Sequence, residues 1–334
     1  VTRTDVARYA GVSTAVVSHV VNGGPKKVSE ATARRVREAV DHLGYRPNRT
    51  ARALSLGSTS TLGLVVGDTT NPFYAEYTRE LQQAAADVGY ALLMTAGGPG
   101  PDAHLRSMLD LCDRQIDGLI VTRATAMGGL DELRRLGASQ PVVIIDSASP
   151  VPDCATVGPD AADGMAMAVG HLLRVHHHQS VSLIIGEYVT PEADGREEGW
   201  MRAHAGHEQH PGRVARTSFT RDGGYRAGLG LLGSDDRPTA VVTSSDLQAI
   251  GLLRACGDLG LRVPEDVAIV SFDGTEETRF TAPPLTTVRQ PVAAMATEAI
   301  DLVVHARPAA HETFPMDLVV RRSCGCQPPL PGGS

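Results

Sequence analysis

The sequence predicts an all-α helix-turn-helix head with a hinge helix, joined to a two-lobed α/β body with parallel sheets. Three observations predict it. A run of small residues near the N-terminus divides into an apolar side and a polar side. After residue 61 the pattern switches to short apolar runs alternating with helical stretches. The charge changes sign between these two parts.

The first observation is Gly11-Val12-Ser13-Thr14-Ala15-Val16-Val17-Ser18-His19-Val20-Val21-Asn22. At roughly 100° per residue, Val16, Val17, Val20 and Val21 fall on one side and Thr14, Ala15, Ser18, His19 and Asn22 on the other. The valine side suits packing on a neighbouring helix. The other side is short and polar, as a helix needs for deep entry into a DNA major groove. Upstream, 5–10 is expected to form a short helix capped by Thr4, with Gly11 in the tight turn. Downstream, Ser29-Glu30 opens a third helix through about His42, and Gly44 ends it.

Charge separates the same two parts. The chain of 334 residues carries a formal net charge of −7, which taken alone argues against a nucleic-acid partner. Residues 1–60 nevertheless hold ten Lys/Arg and four acids, giving +6, while the remainder holds 21 basic and 34 acidic residues, giving −13. A basic head on an acidic body fits a DNA-tethered module.

Residues 48–56 read as a short basic helix, marginal alone, and 57–61 as a linker by composition. From residue 62, apolar runs at 62–66, 91–94, 118–121, 142–145, 181–185, 240–242 and 267–270 are expected to be strands. Helices fit between them, among others at 73–88, 161–175 and 246–259. This βα alternation over about 260 residues suggests two doubly wound lobes. The stretch 285–290, followed by another helix and strand, suggests that the chain passes between lobes more than once.

Several patterns invite a chemical reading and fail it. Gly228-Leu229-Gly230-Leu231-Leu232-Gly233 spells G-x-G-x-x-G, but it lies inside an expected helix with no strand feeding it. His207-Glu208-Gln209-His210 is one residue short of H-E-x-x-H. The consecutive histidines 176–178 cannot all face one point on a helix. The five cysteines (112, 154, 256, 324 and 326) are odd in number, and Cys324-Gly325-Cys326 lacks a second pair, so neither a disulfide framework nor a metal site is expected. With no nucleophile elbow, metal set or cofactor loop, an enzyme is not expected, and no cofactor. No apolar run is long enough to span a membrane, and a cytoplasmic location is expected.

In order and spacing, several stretches together resemble the lactose-repressor/galactose-repressor family of bacterial regulators. They are Asp5-Val6-Ala7, Ala10-Gly11-Val12-Ser13, Val17-Ser18-His19-Val20-Val21-Asn22, Leu43-Gly44-Tyr45-Arg46-Pro47-Asn48, Asn71-Pro72-Phe73, Gln115-Ile116-Asp117-Gly118, Gly260-Leu261-Arg262-Val263-Pro264-Glu265-Asp266 and Leu285-Thr286-Thr287-Val288. The resemblance implies a head over 1–46, a hinge helix and linker over 47–61, an effector-binding domain over 62–323 and a flexible tail over 324–334. That domain resembles periplasmic sugar-binding proteins. Its first lobe would span about 62–160 plus 291–323, and its second about 161–290.

It also implies site residues. Thr14, Ala15 and His19 would face base edges of double-stranded operator DNA, and Ser18 and Asn22 would hold phosphates. His19 stands where the family more often has Arg, and Val16 where it usually has Thr. In the hinge segment with Ala51, Leu54 would wedge into the minor groove, at an unstacking cost of a few kcal/mol; the alternative is packing on its own third helix. Phe73, Tyr74, Asp146, Arg196, Asp246, Asp273 and Gln290 would line an effector pocket suited to vicinal hydroxyls. For each of them the alternative is a helix cap or core packing, and Trp200 is expected in the core. Gly97-Gly98-Pro99-Gly100, His176-His177-His178 and the His-rich stretch over 201–216 depart from the family pattern.

The whole reads as a homodimeric transcriptional regulator, a repressor, binding a pseudo-palindromic operator and switched by a sugar-like small molecule. With no C-terminal heptads, a dimer of dimers is not expected. The rival readings are a sugar-binding protein with an incidental N-terminus and an enzyme on the same scaffold.

Overall fold

This computed structural model describes residues 1–22, 28–46, 57–97, 101–122, 130–137, 140–147, 150–151, 153–187, 195–206 and 210–327. The chain divides into two units, Val1–Ser60 and Thr61–Ser334.

In the first unit, α1 (Arg3–Ala10), α2 (Thr14–Asn22) and α3 (Glu30–Leu43) enclose a small core. Val6, Ala7, Ala10, Val17, Val36 and Ala39 are buried there, with Val16, Val20 and Val21 packed against them. The valine side of α2 therefore faces inward as its spacing predicts. One detail differs: α1 is capped by Thr2, not Thr4. Thr2 and Asp5 form a reciprocal capping box, in which Asp5 N–H donates to Thr2 Oγ1 (3.3 Å) and Thr2 N–H to Asp5 Oδ2 (2.9 Å). Thr4 is itself a residue of the helix. Gly11 takes the left-handed conformation (φ 63°) that the turn requires.

The second unit holds two six-stranded sheets. The first contains β1 (Thr61–Val66), β2 (Ala91–Ala96), β3 (Gly118–Thr122), β4 (Val142–Ile145), β5 (Ala155–Pro159) and β11 (His311–Phe314), in the order β11-β5-β4-β3-β1-β2. Its pairings are parallel. Around it lie α4 (Pro72–Asp87), α5 (Pro101–Cys112), α6 (Leu130–Gly137) and α11 (Val292–Val304). The second contains β6 (Ser182–Gly186), β7 (Val214–Thr217), β8 (Ala240–Thr243), β9 (Ala268–Asp273), β10 (Thr286–Arg289) and β12 (Asp317–Val319), in the order β12-β10-β9-β8-β6-β7. Only β12 runs antiparallel in it. Its helices are α7 (Ala161–Arg174), α8 (Gly195–Ala205), α9 (Arg221–Leu232) and α10 (Asp246–Asp258). The central strands are buried along their whole length, as parallel strands covered on both faces must be, so they read as largely apolar runs rather than alternating ones.

The chain passes from one lobe to the other after β5, after β10 and between β11 and β12. The last passage corrects the expected boundaries. Residues 317–323 belong with the second lobe, because β12 pairs with β10. Residues 324–327 are no loose tail: Cys324 is buried in the second lobe's core.

The G-x-G-x-x-G run closes α9, with Gly233 as the cap, and there it serves packing. A Cβ on Gly228 would meet Ala255 Cβ at 2.8 Å, whereas Gly230 faces open space. Trp200 is buried, and its Nε1 donates to the Val181 carbonyl at 2.7 Å.

Candidate functional site

On the head, Ser13 caps α2, its Oγ accepting from Val16 N–H at 3.3 Å. The burial of Val17 then turns Thr14 and Ala15 out to solvent, with Ser18 and His19 half-buried beside them. Asn22 is the last residue of α2, and its side chain lies outside the described set. Ala51 and Leu54 likewise lie outside the described residues.

In the body, six of the seven proposed effector residues follow directly on the C-terminal ends of parallel strands or on the helices these strands lead into. Phe73 and Tyr74 open α4 after β1, where the Asn71 Oδ1 cap accepts from Phe73 N–H at 3.1 Å. Asp146 follows β4, Asp246 opens α10 after β8, Asp273 ends β9 and Gln290 follows β10. Arg196, the seventh, sits in the first turn of α8, the next described helix after β6. Crevices outside strand carboxyl ends are where open α/β sheets bind ligands.

Four of these side chains act on one another electrostatically across the two lobes. Tyr74 Oη donates to Asp146 Oδ2 at 2.8 Å. Burial first, and then the Asp146 charge, hold the Tyr74 phenol well above its ordinary pKa, with the charges of Asp273 and Arg196 also acting on it. Tyr74 and Asp146 belong to the first lobe, Arg196 and Asp273 to the second. The Arg196 guanidinium carbon lies 4.6 Å from the Phe272 ring centroid and 5.6 Å from that of Phe219. These cation–π contacts hold a planar charge at the crevice wall. Gly186 leaves the space for Phe219, since a Cβ there would lie 2.1 Å from the ring.

Asp273 is buried and accepts from Gln290 Nε2 at 2.9 Å. Burial, followed by the Asp246 charge, raises its pKa well above the carboxylate range, and Arg196 pulls the other way. Its backbone φ of 110° is in a region non-glycine residues rarely occupy. Asp146 too has a positive φ, 57°. Strain of this kind persists where surrounding structure over-determines it. The Oε1 of Gln290 is buried with no protein donor.

Phe73 and Asp246 face elsewhere. Phe73 is buried in the first lobe's core, its ring edge-on to Tyr74 and Tyr77. Asp246 spends its oxygens on the protein itself. Oδ1 accepts from Ser271 Oγ (2.6 Å) and Thr287 Oγ1 (3.0 Å); Oδ2 accepts from Thr275 N–H (2.7 Å) and Thr275 Oγ1 (2.8 Å). Despite these donors, complete burial pushes its pKa up to about 6.

Further residues also shape the crevice. Phe219 and Phe272 flank Arg196, and Glu76 Oε1 accepts from Glu276 N–H at 2.9 Å, joining the lobes at the mouth. A cavity of about 640 Å³ opens there, bounded by Pro72, Glu76, Arg221, Ile250, Glu276 and Phe280 among others. Phe272 carried a signal, as the residue before Asp273 at a strand end; Glu76 carried none.

Residues 2–48 match the family model for bacterial regulatory proteins of the lacI family, and residues 169–324 match a periplasmic binding protein-like domain. The HTH-type transcriptional repressor PurR of Mannheimia succiniciproducens is 30% identical over 96% of this chain and 97% of its own length. The ribose operon repressor of Escherichia coli K12 is 33% identical over 91% of this chain and 92% of its own. Among solved structures, a lac repressor dimer bound to operator and the anti-inducer ONPF superposes with a TM-score of 0.84 at 25% identity, covering 97% of this chain and 99% of that one. With its helix-turn-helix head and two-lobed body, this chain belongs to the lacI family of bacterial regulatory proteins and is a DNA-binding transcriptional regulator rather than an enzyme.

Proposed function

We propose that the protein is a repressor that binds a pseudo-palindromic operator as a homodimer and is switched by a polyhydroxylated small molecule held between its lobes. The observation that carries the effector reading is the split of one polar cluster between two lobes. Tyr74 and Asp146 on one side and Arg196, Asp273 and Gln290 on the other gain hydrogen bonds from a single bridging ligand. Carboxylates and a guanidinium suit vicinal hydroxyls, and the neighbouring rings suit a sugar face. We assign Asp246 to holding Thr275 and strands β9 and β10 in place, not to contact with the ligand, and Phe73 to orienting Tyr74.

A ligand bridging the lobes favours their closed arrangement, a hinge motion about the three crossings. Similarity to a ribose operon repressor and to a lac repressor dimer bound to operator supports this reading. Dimerisation is supported by exposed apolar side chains along one edge of the first lobe. Edge strand β2 presents Leu93 and Met94 at 38% and 45% exposure, with Leu109 of the adjacent α5 at 37%. The protein would then work in the cytoplasm, on the nucleoid when bound to its operator.

The experiment is a gel-shift titration against promoter-proximal DNA at several salt concentrations, with and without ligands found by a thermal-shift screen of sugars and nucleosides. Binding is expected to weaken steeply with salt. The effector is expected to change operator affinity by about 5–150-fold. No specific DNA binding under any condition would overturn the proposal. Leu54→Ala is expected to weaken specific binding more than non-specific binding; equal losses would remove the wedge. Arg196→Ala is expected to weaken the effector by about 2–4 kcal/mol, because a buried charge-assisted pair loses its donor. Calorimetric titration checks it, and an unchanged Kd would take Arg196 out of the site.

A further inference from the structure

Far from the crevice, the fold assembles the second pair that Cys324-Gly325-Cys326 lacks in sequence. His171 in the last turn of α7 and His176 just beyond it meet the two cysteines, which come about 150 residues later. Cys326 Sγ lies 3.3 Å from His176 Nε2 and 3.6 Å from His171 Nε2, and the two imidazole nitrogens are 3.3 Å apart. With Cys324 Sγ, all four atoms fall within 4.8 Å of one another. Zn–S bonds of about 2.3 Å and Zn–N bonds of about 2.0–2.1 Å at tetrahedral angles set ligand atoms roughly 3.3–3.8 Å apart. These three separations fall in that range.

The backbone is built for the approach. Gly325 has φ 104°, and a Cβ there would lie 3.1 Å from His176 Nδ1. Cys324 Sγ is buried and accepts from Thr286 Oγ1 at 3.1 Å, the kind of outer hydrogen bond that orients a metal-bound thiolate.

The geometry points to a Cys2His2 site for a divalent zinc-like ion, formed by His171, His176, Cys324 and Cys326, that fastens residues 324–326 to the end of α7. Four protein ligands leave no open position, so the role is structural. Both thiols lose their protons to solvent when the ion binds, and nothing is oxidised or reduced. Thr286 begins β10, so the site lies at the opposite ends of the strands from the crevice. It therefore tightens the second lobe without touching the effector.

The test uses the full chain, reduced and stripped with a chelator, then titrated with Co²⁺ and separately with Zn²⁺. One Co²⁺ per chain is expected, with the intense visible bands of tetrahedral coordination and a thiolate charge-transfer band, both lost on adding Zn²⁺. The thermal midpoint followed by Trp200 fluorescence is expected to rise with Zn²⁺. His176→Gln and Cys326→Ser change half-buried residues and are each expected to weaken Co²⁺ binding by more than the roughly 10–100-fold that outer-shell changes cause. Three outcomes would overturn the site: only weak octahedral bands in the reduced wild-type protein, uptake below one ion per chain, or binding that survives in the double variant. The first two need no variant, so misfolding of a variant cannot rescue the idea.

Discussion

Gly251→Ala is expected to destabilise the second lobe by about 3 kcal/mol or more, while Gly230→Ala, the same chemical change on the partner helix, stabilises it by roughly 0.5–1 kcal/mol. Gly251 lies in α10 where it crosses α9. A Cβ there would sit 2.0 Å from the Arg221 carbonyl oxygen and 2.6 Å from Tyr225 N. That is about 1.3 Å inside the usual C···O approach of 3.3–3.6 Å. The obstruction is backbone, so no rotamer change relieves it, and the two helices must part. Gly224 makes the same approach from α9, with a Cβ 2.1 Å from the Gln248 carbonyl oxygen. Gly230 has nothing within 4 Å, so there alanine only lowers the entropy of the unfolded chain. Trp200 is the single tryptophan and is buried in the second lobe, so its fluorescence during urea unfolding reports the lobe concerned. Equal effects at the two positions would refute the close-crossing argument.

The second large effect is expected at Asp246. Asp246→Ala removes the acceptor for four buried donors from Ser271, Thr275 and Thr287. Each orphaned donor costs about 1–3 kcal/mol. Against this, the variant no longer ionises a buried carboxylate. With a pKa about 6 folded and 3.8 as the reference, that ionisation costs on the order of 3 kcal/mol at neutral pH. The four orphaned donors, together about 4–12 kcal/mol, outweigh this, and a net loss of about 1–9 kcal/mol is expected.

The pH dependence is diagnostic. Between the two pKa values the folded state holds a proton that the unfolded chain has released. The stability arising from that proton is fully present below pH 3.8 and is lost as pH rises through about 6. Asp246→Asn cannot titrate, so its stability deficit relative to wild type is expected to be larger at pH 4.5 than at pH 7.5. Urea unfolding at both values checks this; a deficit independent of pH would mean that Asp246 titrates normally. Effector affinity is expected to fall in either variant, because Thr275 is two residues from the strained Asp273.

What could be read from sequence follows from burial. Strands β1, β3, β4, β6, β8 and β9 are covered on both faces, and their apolar runs mark them to within a few residues. Strand β5 contains Gly158 and Pro159, and β7, β11 and β12 are short and partly exposed, so none has a periodic signature. In sequence, Asp246 and Asp273 both look like residues of one pocket. Both are acids at strand ends. They differ only in the company of Ser271, Thr275 and Thr287, which the fold brings in from 25 to 41 residues away. The cysteine–histidine cluster is invisible in sequence for the same reason: Cys324-Gly325-Cys326 lacks a second pair nearby, and His171 and His176 reach it only once the second lobe has folded.

The three crossings also bear on how the protein is made. Strand β11 completes the edge of the first sheet beside β5, and β12 that of the second beside β10. Both are supplied after residue 310, so neither sheet is complete until the ribosome has synthesised almost all of this chain. Until then β5 and β10 present bare edges, the feature through which nascent chains pair with the wrong neighbour. Slowed translation of the segment leading to residue 311 would prolong that exposure for both lobes at once.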